Sequence, residues 1–88
     1  MKIVKQAAAG TFESSDAYVT TAPADTLTLK IDSVVLNQYG DKIKSCAAQT
    51  LADLGVTEGL ITIIDKGAID CVIAARIETA VRRAGGEN

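Results

Sequence analysis

Between residues 26 and 84 the spacing of apolar side chains switches from every second residue to every third and fourth, and then the switch repeats. That order restricts the fold more than any other feature of the chain. From Thr26 to Val34, Leu27, Leu29, Ile31 and Ser33 fall on one face of an extended segment and Thr28, Lys30 and Asp32 on the other, the pattern of a half-buried strand. From Leu36 to Leu54, Leu36, Tyr39, Ile43, Ala47, Thr50, Leu51 and Leu54 recur at three and four, which is one face of an amphipathic helix. Gly59 to Asp65 is a β-branched run, the strongest strand signal in the chain. Lys66-Gly67 marks a turn. Ile69, Val72, Ile73, Ile77, Ala80, Val81 and Ala84 then lay down a second helical stripe.

The ends of these segments carry their own signals. Asn37 or Ser33 is placed to cap the first helix, and Gly55 to close it in the C′ position. Gly40 costs about 1 kcal/mol against Ala inside a helix, so regular helix is expected only from Asp41. Arg82 and Arg83 suit the negative end of the second helix, Gly85-Gly86 terminates it, and residues 85–88 form a frayed tail. Leu27 to Asp32 (Leu-Thr-Leu-Lys-Ile-Asp) is weakly echoed by Leu60 to Asp65 (Leu-Ile-Thr-Ile-Ile-Asp), each just ahead of a helix.

Upstream, Thr11, Phe12, Tyr18 and Val19 favour strands, and Glu13-Ser14-Ser15-Asp16 interrupts them with four polar residues. The reading is a β-hairpin over about 9–22 with Ser14 and Ser15 at its tip, ended by Pro23. The whole is expected to be one α+β domain over residues 1–88, in the order β-β-β-α-β-α. The hairpin and two further strands make a small sheet, and both helices of the βαβα stretch (about 26–84) pack on one face. If the strands flanking the first helix run parallel, their connection is right-handed.

Composition narrows the function. Hydrophobic residues are 48% of the chain and aromatic residues 3%, so Ala, Val, Ile and Leu must fill the core. Nine basic against eleven acidic residues give −2, with the bases dispersed apart from Arg82 and Arg83, and one Phe and two Tyr offer no stacking platform. Nucleic acid is not an expected partner. No apolar run is long enough for a membrane span, and Met1-Lys2-Ile3-Val4-Lys5 has no signal-peptide apolar core, so the expected compartment is the cytoplasm.

The chain has no histidine, which removes the commonest general base and the commonest metal ligand. Cys46 and Cys71 are isolated among apolar helical neighbours and read as reduced core thiols, not as a disulfide or metal pair. Hydroxyls and carboxylates remain, and the best group is Glu13-Ser14-Ser15-Asp16. Neither carboxylate is basic enough in an exposed turn to activate a serine. Taken alone, the tip is a polar turn without chemistry of its own, although an exposed serine on a loop can enter another enzyme's active site.

Three stretches carry a resemblance. Ala9 to Asp16 (Ala-Gly-Thr-Phe-Glu-Ser-Ser-Asp) resembles the Ala-Gly-Thr-x-Glu-Ser-x-Asp signature of the citrate lyase acyl carrier (gamma) subunits. Gln38, Tyr39, Gly40 and Asp41 match that family's Gln-Tyr/Phe-Gly-Asp. Asp65-Lys66-Gly67-Ala68-Ile69-Asp70-Cys71 is similar to its Asp-Lys-Gly-Ala-hydrophobic-Asp-Cys. The resemblance implies a non-catalytic carrier whose Ser14 is esterified to 2′-(5″-phosphoribosyl)-3′-dephospho-CoA by a prosthetic-group transferase. Glu13 and Asp16 would flank the attachment site.

It further implies an arm thiol bearing acetyl and citryl thioesters, with an acyltransferase (alpha) and a lyase (beta) subunit as partners. A short tether would hold that thiol near both at about millimolar effective concentration. Carriers of the common four-helix kind have no strands, so this would be a separate solution to tethering. Ser15 stands where relatives commonly have Gly. That departure suggests a turn with no need for positive φ, while Thr11-x-Glu13 frames Ser14 as the modified residue. The other readings are a carrier of the same group in a related lyase or malonate decarboxylase, and an α+β interaction module with no prosthetic group.

Overall fold

The computed structural model describes residues 1–34 and 36–85, with Leu36 and Asn37 described by their backbone alone. The elements run β1 (Ala7–Gly10), β2 (Ala17–Ala22), β3 (Leu27–Ser33), α1 (Leu36–Asp53), β4 (Gly59–Asp65) and α2 (Asp70–Ala84). The fold is α+β in the expected order. The expected cap Asn37, the stripe position Leu36 and tail residues Gly86, Glu87 and Asn88 fall outside what is described.

The four strands form one sheet in the order β1-β2-β4-β3. β1 and β2 make an antiparallel hairpin, β2 pairs antiparallel with β4, and β3 pairs parallel with β4 through the α1 crossover. The β-branched run is thus one of the two inner strands, with hydrogen-bonded neighbours on both sides. Its register aligns Ala9, Val19, Ile63 and Ile31 in one row across the sheet. Ala17, Asp65 and Ser33 form the end row, and the candidate site sits just beyond it.

One face of the sheet is covered. Val19, Ile61, Ile63, Ile73 and Ile77 are each 0% exposed, and Ile43, Ala47, Leu51, Val81 and Ala84 complete the same core. Each buried Ile or Leu side chain contributes roughly 1.5–3 kcal/mol. α1 begins at Leu36 and runs through Gly40, against the expectation of a start at Asp41. A helical glycine costs only about 1 kcal/mol, which a helix already nucleated on its buried stripe can absorb. The helix ends as foreseen: Gly55 has φ +69°, its N–H donates to Ala52 O at 3.0 Å, and Val56 N–H donates to Leu51 O at 2.9 Å.

Three expectations are corrected. The hairpin's first strand is Ala7–Gly10, not a strand through Thr11 and Phe12, because those residues are bound into the loop described below. Tyr39 and Ile69, assigned to the buried stripes, are 52% and 66% exposed, since they lie on the first turn of α1 and just ahead of α2, where no other element covers them. Cys71, expected to pack in the core, is exposed in the first turn of α2, while Cys46 is half-buried; both are free thiols. Among the described residues, no helix is long and apolar enough to cross a membrane.

Candidate functional site

The loop from Thr11 to Asp16 leaves β1 at Gly10, whose φ of +97° suits glycine; a Cβ there would collide with the carbonyl oxygen of Ala17. The loop is then organised by one carboxylate. Asp16 Oδ1 accepts hydrogen bonds from Ala17 N–H at 2.7 Å and Arg76 Nε at 2.9 Å. Asp16 Oδ2 accepts from Thr11 Oγ1 at 2.7 Å and Arg76 Nη2 at 2.8 Å. A carboxylate has about four lone-pair sites, and all four are used. The Arg76 guanidinium, then the Thr11 hydroxyl and the Ala17 amide, hold the Asp16 carboxyl well below the usual carboxylate range.

The Thr11 hydroxyl also accepts from Glu13 N–H at 3.2 Å, and Asp16 N–H closes a turn on Glu13 O at 3.2 Å. Ser14 and Ser15 are the central residues of that turn, and both are exposed. Ser15 has φ +66°, and among the described residues it is the single non-glycine with positive φ. The expectation that this turn has no need of positive φ is therefore wrong. The third position of such a turn favours glycine, and Ser15 occupies it under strain. Ser14 precedes it, outward and accessible.

The turn is also fastened from below. Ser15 N–H donates to Lys66 O at 2.8 Å, and Lys66 N–H donates to Asp16 O at 2.9 Å. These bonds extend the β2–β4 pairing past the end of both strands and tie the Ser14 turn to Lys66-Gly67. That second turn is set by Asp65, which is 1% exposed: its Oδ2 accepts from Ser33 Oγ at 2.7 Å and its Oδ1 from Ala68 N–H at 2.8 Å. The buried carboxylate thus joins the ends of β3 and β4 to the approach of α2. Beside it, the first turns of α1 and α2 leave an open groove of about 560 Å³ with Ile43 and Ala68 in its lining.

The three motifs singled out in the sequence therefore gather at one end of the sheet. Glu13 is exposed beside Ser14, and Asp16, its side chain 14% exposed, is turned to Arg76. Sequence reasoning missed Arg76, yet a signal was present: it falls at the helical spacing of Ile73, Ile77 and Ala80, a cation on a buried stripe that calls for an anion. It also missed Phe12, whose ring lies 4.5 Å from that of Tyr18 and pins the outer limb of the loop to β2. With an accessible hydroxyl on a braced turn, the arrangement suits modification by a foreign active site.

Residues 4–84 match the family model described as malonate decarboxylase delta subunit (MdcD). The chain is 59% identical over 85 residues, 96% of its length and 88% of the relative's, to a citrate lyase acyl carrier protein of Pectobacterium carotovorum. It is 52% identical over 88 or 89 residues to proteins of the same description from Albidiferax ferrireducens and Rhodopseudomonas palustris, covering 99% of this chain and 91% of each of theirs. Among solved structures it is similar to a chain of a Pseudomonas malonate decarboxylase hetero-tetramer in complex with malonate, with a TM-score of 0.83 over 94% of this chain and 87% of that one. At 22% identity that likeness is one of fold.

Proposed function

This chain belongs to the citrate lyase acyl carrier protein family, and we propose that it is the non-catalytic carrier subunit of a citrate lyase complex, with Ser14 as its covalent anchor. The observation that carries the assignment to Ser14 is its exposed place on a turn braced through Asp16, Arg76 and Lys66. The group proposed is 2′-(5″-phosphoribosyl)-3′-dephospho-CoA. The residues present suit it, because a phosphodiester link needs an accessible hydroxyl, and Ser14 is exposed. When bound, the group supplies the thiol on which acyl groups are carried as thioesters.

The chain's own residues hold and present. Ser14 offers its Oγ, Asp16 keeps the loop in one shape through its four hydrogen bonds, and Glu13 stands as the exposed flanking charge for a prosthetic-group transferase. The partners in this reading are that transferase and the acyltransferase and lyase subunits; the compartment is the cytoplasm, and residues 1–88 act as one domain. The fold is shared with a malonate decarboxylase chain, but 59% identity to a citrate lyase carrier against 22% to that chain supports the citrate lyase complex.

The test is the mass of the protein and of its peptides, isolated from its native host or co-produced with the transferase. The expected result is one added prosthetic group on Ser14, absent from Ser14→Ala and retained in Ser15→Ala. Unmodified protein inside an active lyase complex, or a group on Ser15 alone, overturns the assignment.

A further inference from the structure

The groove beside the Ser14 turn shares Gly67 and Ala68 with the turn that braces it, and its lining is unusual for a surface. Tyr39 and Ile69 both line it, although their spacing places them on the inward stripes of the two helices. Ile43, 4% exposed, belongs to the same lining. Scattered exposed apolar residues are ordinary, but here they are contiguous and concave. A volume of about 560 Å³ lies within the range of small-molecule sites, roughly 300–1,000 Å³.

Continuity with the attachment turn and charge point to the occupant. Ser15 N–H binds Lys66 O at 2.8 Å, and the next residue, Gly67, already lines the groove. A chain fixed at Ser14 therefore starts beside the Gly67 edge of the groove. Lys42 lines the groove as a cation, with Asp70 as the opposing charge and Cys71 exposed in the same wall. The arm ends in a slender pantetheine thiol chain bearing amides, beyond a diphosphate, which suits a mainly apolar hollow whose lining also offers Lys42 and Asp70.

We propose that the groove between the first turns of α1 and α2 is the resting seat of the thiol-bearing end of the arm carried on Ser14, with Lys42 as the cation of its lining. The inference rests on the reading of Ser14 as the anchor. Seating shelters the thiol from solvent and adventitious oxidants between visits to partner subunits, and leaving the seat is the step those partners must compete with.

The experiment starts from loaded carrier in which peptide mass mapping has located the group on Ser14; a group found elsewhere would remove the premise itself. Thiol reactivity toward a disulfide reagent is then compared between loaded Cys46→Ala,Cys71→Ser protein and free CoA. An arm seated about four-fifths of the time reacts about fivefold more slowly, because only the free fraction is open to attack. Ala68→Leu, which fills the groove, restores the free rate.

In loaded Cys46→Ala protein with Cys71 retained, diamide takes two electrons and two protons from the arm thiol and Cys71. An internal disulfide forms with the loss of two hydrogens, and diamide becomes its hydrazine. Amide resonances of Lys42, Ile43, Ala68 and Cys71 move on loading. With Ser14 loaded, a thiol as reactive as that of free CoA, no internal disulfide and unmoved groove resonances overturn the seat while leaving the anchor intact.

Discussion

Arg76 Nε and Nη2 donate side by side to the two oxygens of Asp16, at 2.9 and 2.8 Å, joining the second helix to the Ser14 turn across 60 residues of chain. Bidentate pairing fixes orientation as well as distance, so Arg76 acts as a strut for the loop more than as a source of bulk stability. Its side chain is 38% exposed, and solvent screens part of the attraction. Arg76→Lys keeps the charge but loses the fork. The expected outcome is a folded protein whose Ser14 is loaded more slowly by the transferase, with broadened resonances for residues 11–16; unchanged loading kinetics would show that the strut is idle.

The same carboxylate predicts a pH dependence. Its folded pKa is depressed, chiefly by Arg76, so the stability it contributes is present above its unfolded value of about 3.9 and is lost as pH falls below that toward the folded value. Asp16→Asn cannot form the ion pair at any pH. The urea midpoint of the native protein should therefore exceed that of Asp16→Asn at pH 7 and converge on it as the pH is lowered through 4. A constant gap across that window would mean that Asp16 acts only as a neutral hydrogen-bond acceptor.

Ser15 tests the turn itself. A left-handed conformation costs a residue with a Cβ about 1–2 kcal/mol, and glycine gives back part of that through its freer unfolded chain. Ser15→Gly is expected to stabilise by about 0.5–1 kcal/mol in urea unfolding, and Ser15→Val to destabilise by about 1–2 kcal/mol. Loading at Ser14 should survive the glycine substitution. A destabilised Ser15→Gly would indicate that the Ser15 side chain, not its backbone, holds the turn.

Particular residues show what was legible in the sequence. Gly59–Asp65 could be read at both ends because a β-branched run between turn glycines has few other uses, and α1 could be ended at Gly55 because its φ of +69° suits glycine. The Ala7–Gly10 strand was not legible: three alanines and a glycine have no strand preference, and the segment is extended because β2 offers it a ladder. Periodicity also over-assigned Tyr39 and Ile69, since a stripe records which face a residue shares and not whether another element reaches that far. Ser14 emerged from resemblance and its exposure from the structure. The pairing of Arg76 with Asp16 and the strain at Ser15 needed three dimensions, because the pair is separated by 60 residues and the strain is a backbone angle.

Asp65 is the hidden member of the site. Ser33 Oγ and Ala68 N–H both donate to it at 2.7 and 2.8 Å in a setting where Asp65 is 1% exposed. Asp65→Ala removes the shared acceptor, at a cost of about 2–4 kcal/mol for two buried bonds. It should also release Lys66, and with it the floor under Ser15. The expected signs are a lower urea midpoint and faster hydrogen exchange at Ser15 and Ala68. A loss of stability confined to the core, with those two amides unaffected, would separate Asp65 from the loop.

The cysteines give a prediction that needs no mutation. Burial, then the nearby Asp70 carboxylate, push the Cys46 thiol up, and its Sγ donates to Asp70 O at 3.6 Å. The thiolate is the reactive form, so a raised pKa lowers its share at neutral pH, and half-burial limits reagent access as well. Cys71 is exposed. Limited alkylation of the unmodified protein with iodoacetamide at pH 7.5 should therefore label Cys71 ahead of Cys46, as read by peptide mass. Raising the pH should speed Cys46 later than an ordinary thiol of pKa about 8.5. Equal labelling at pH 7.5 would mean that the first turn of α2 covers Cys71 in solution, and the groove wall would have to be redrawn.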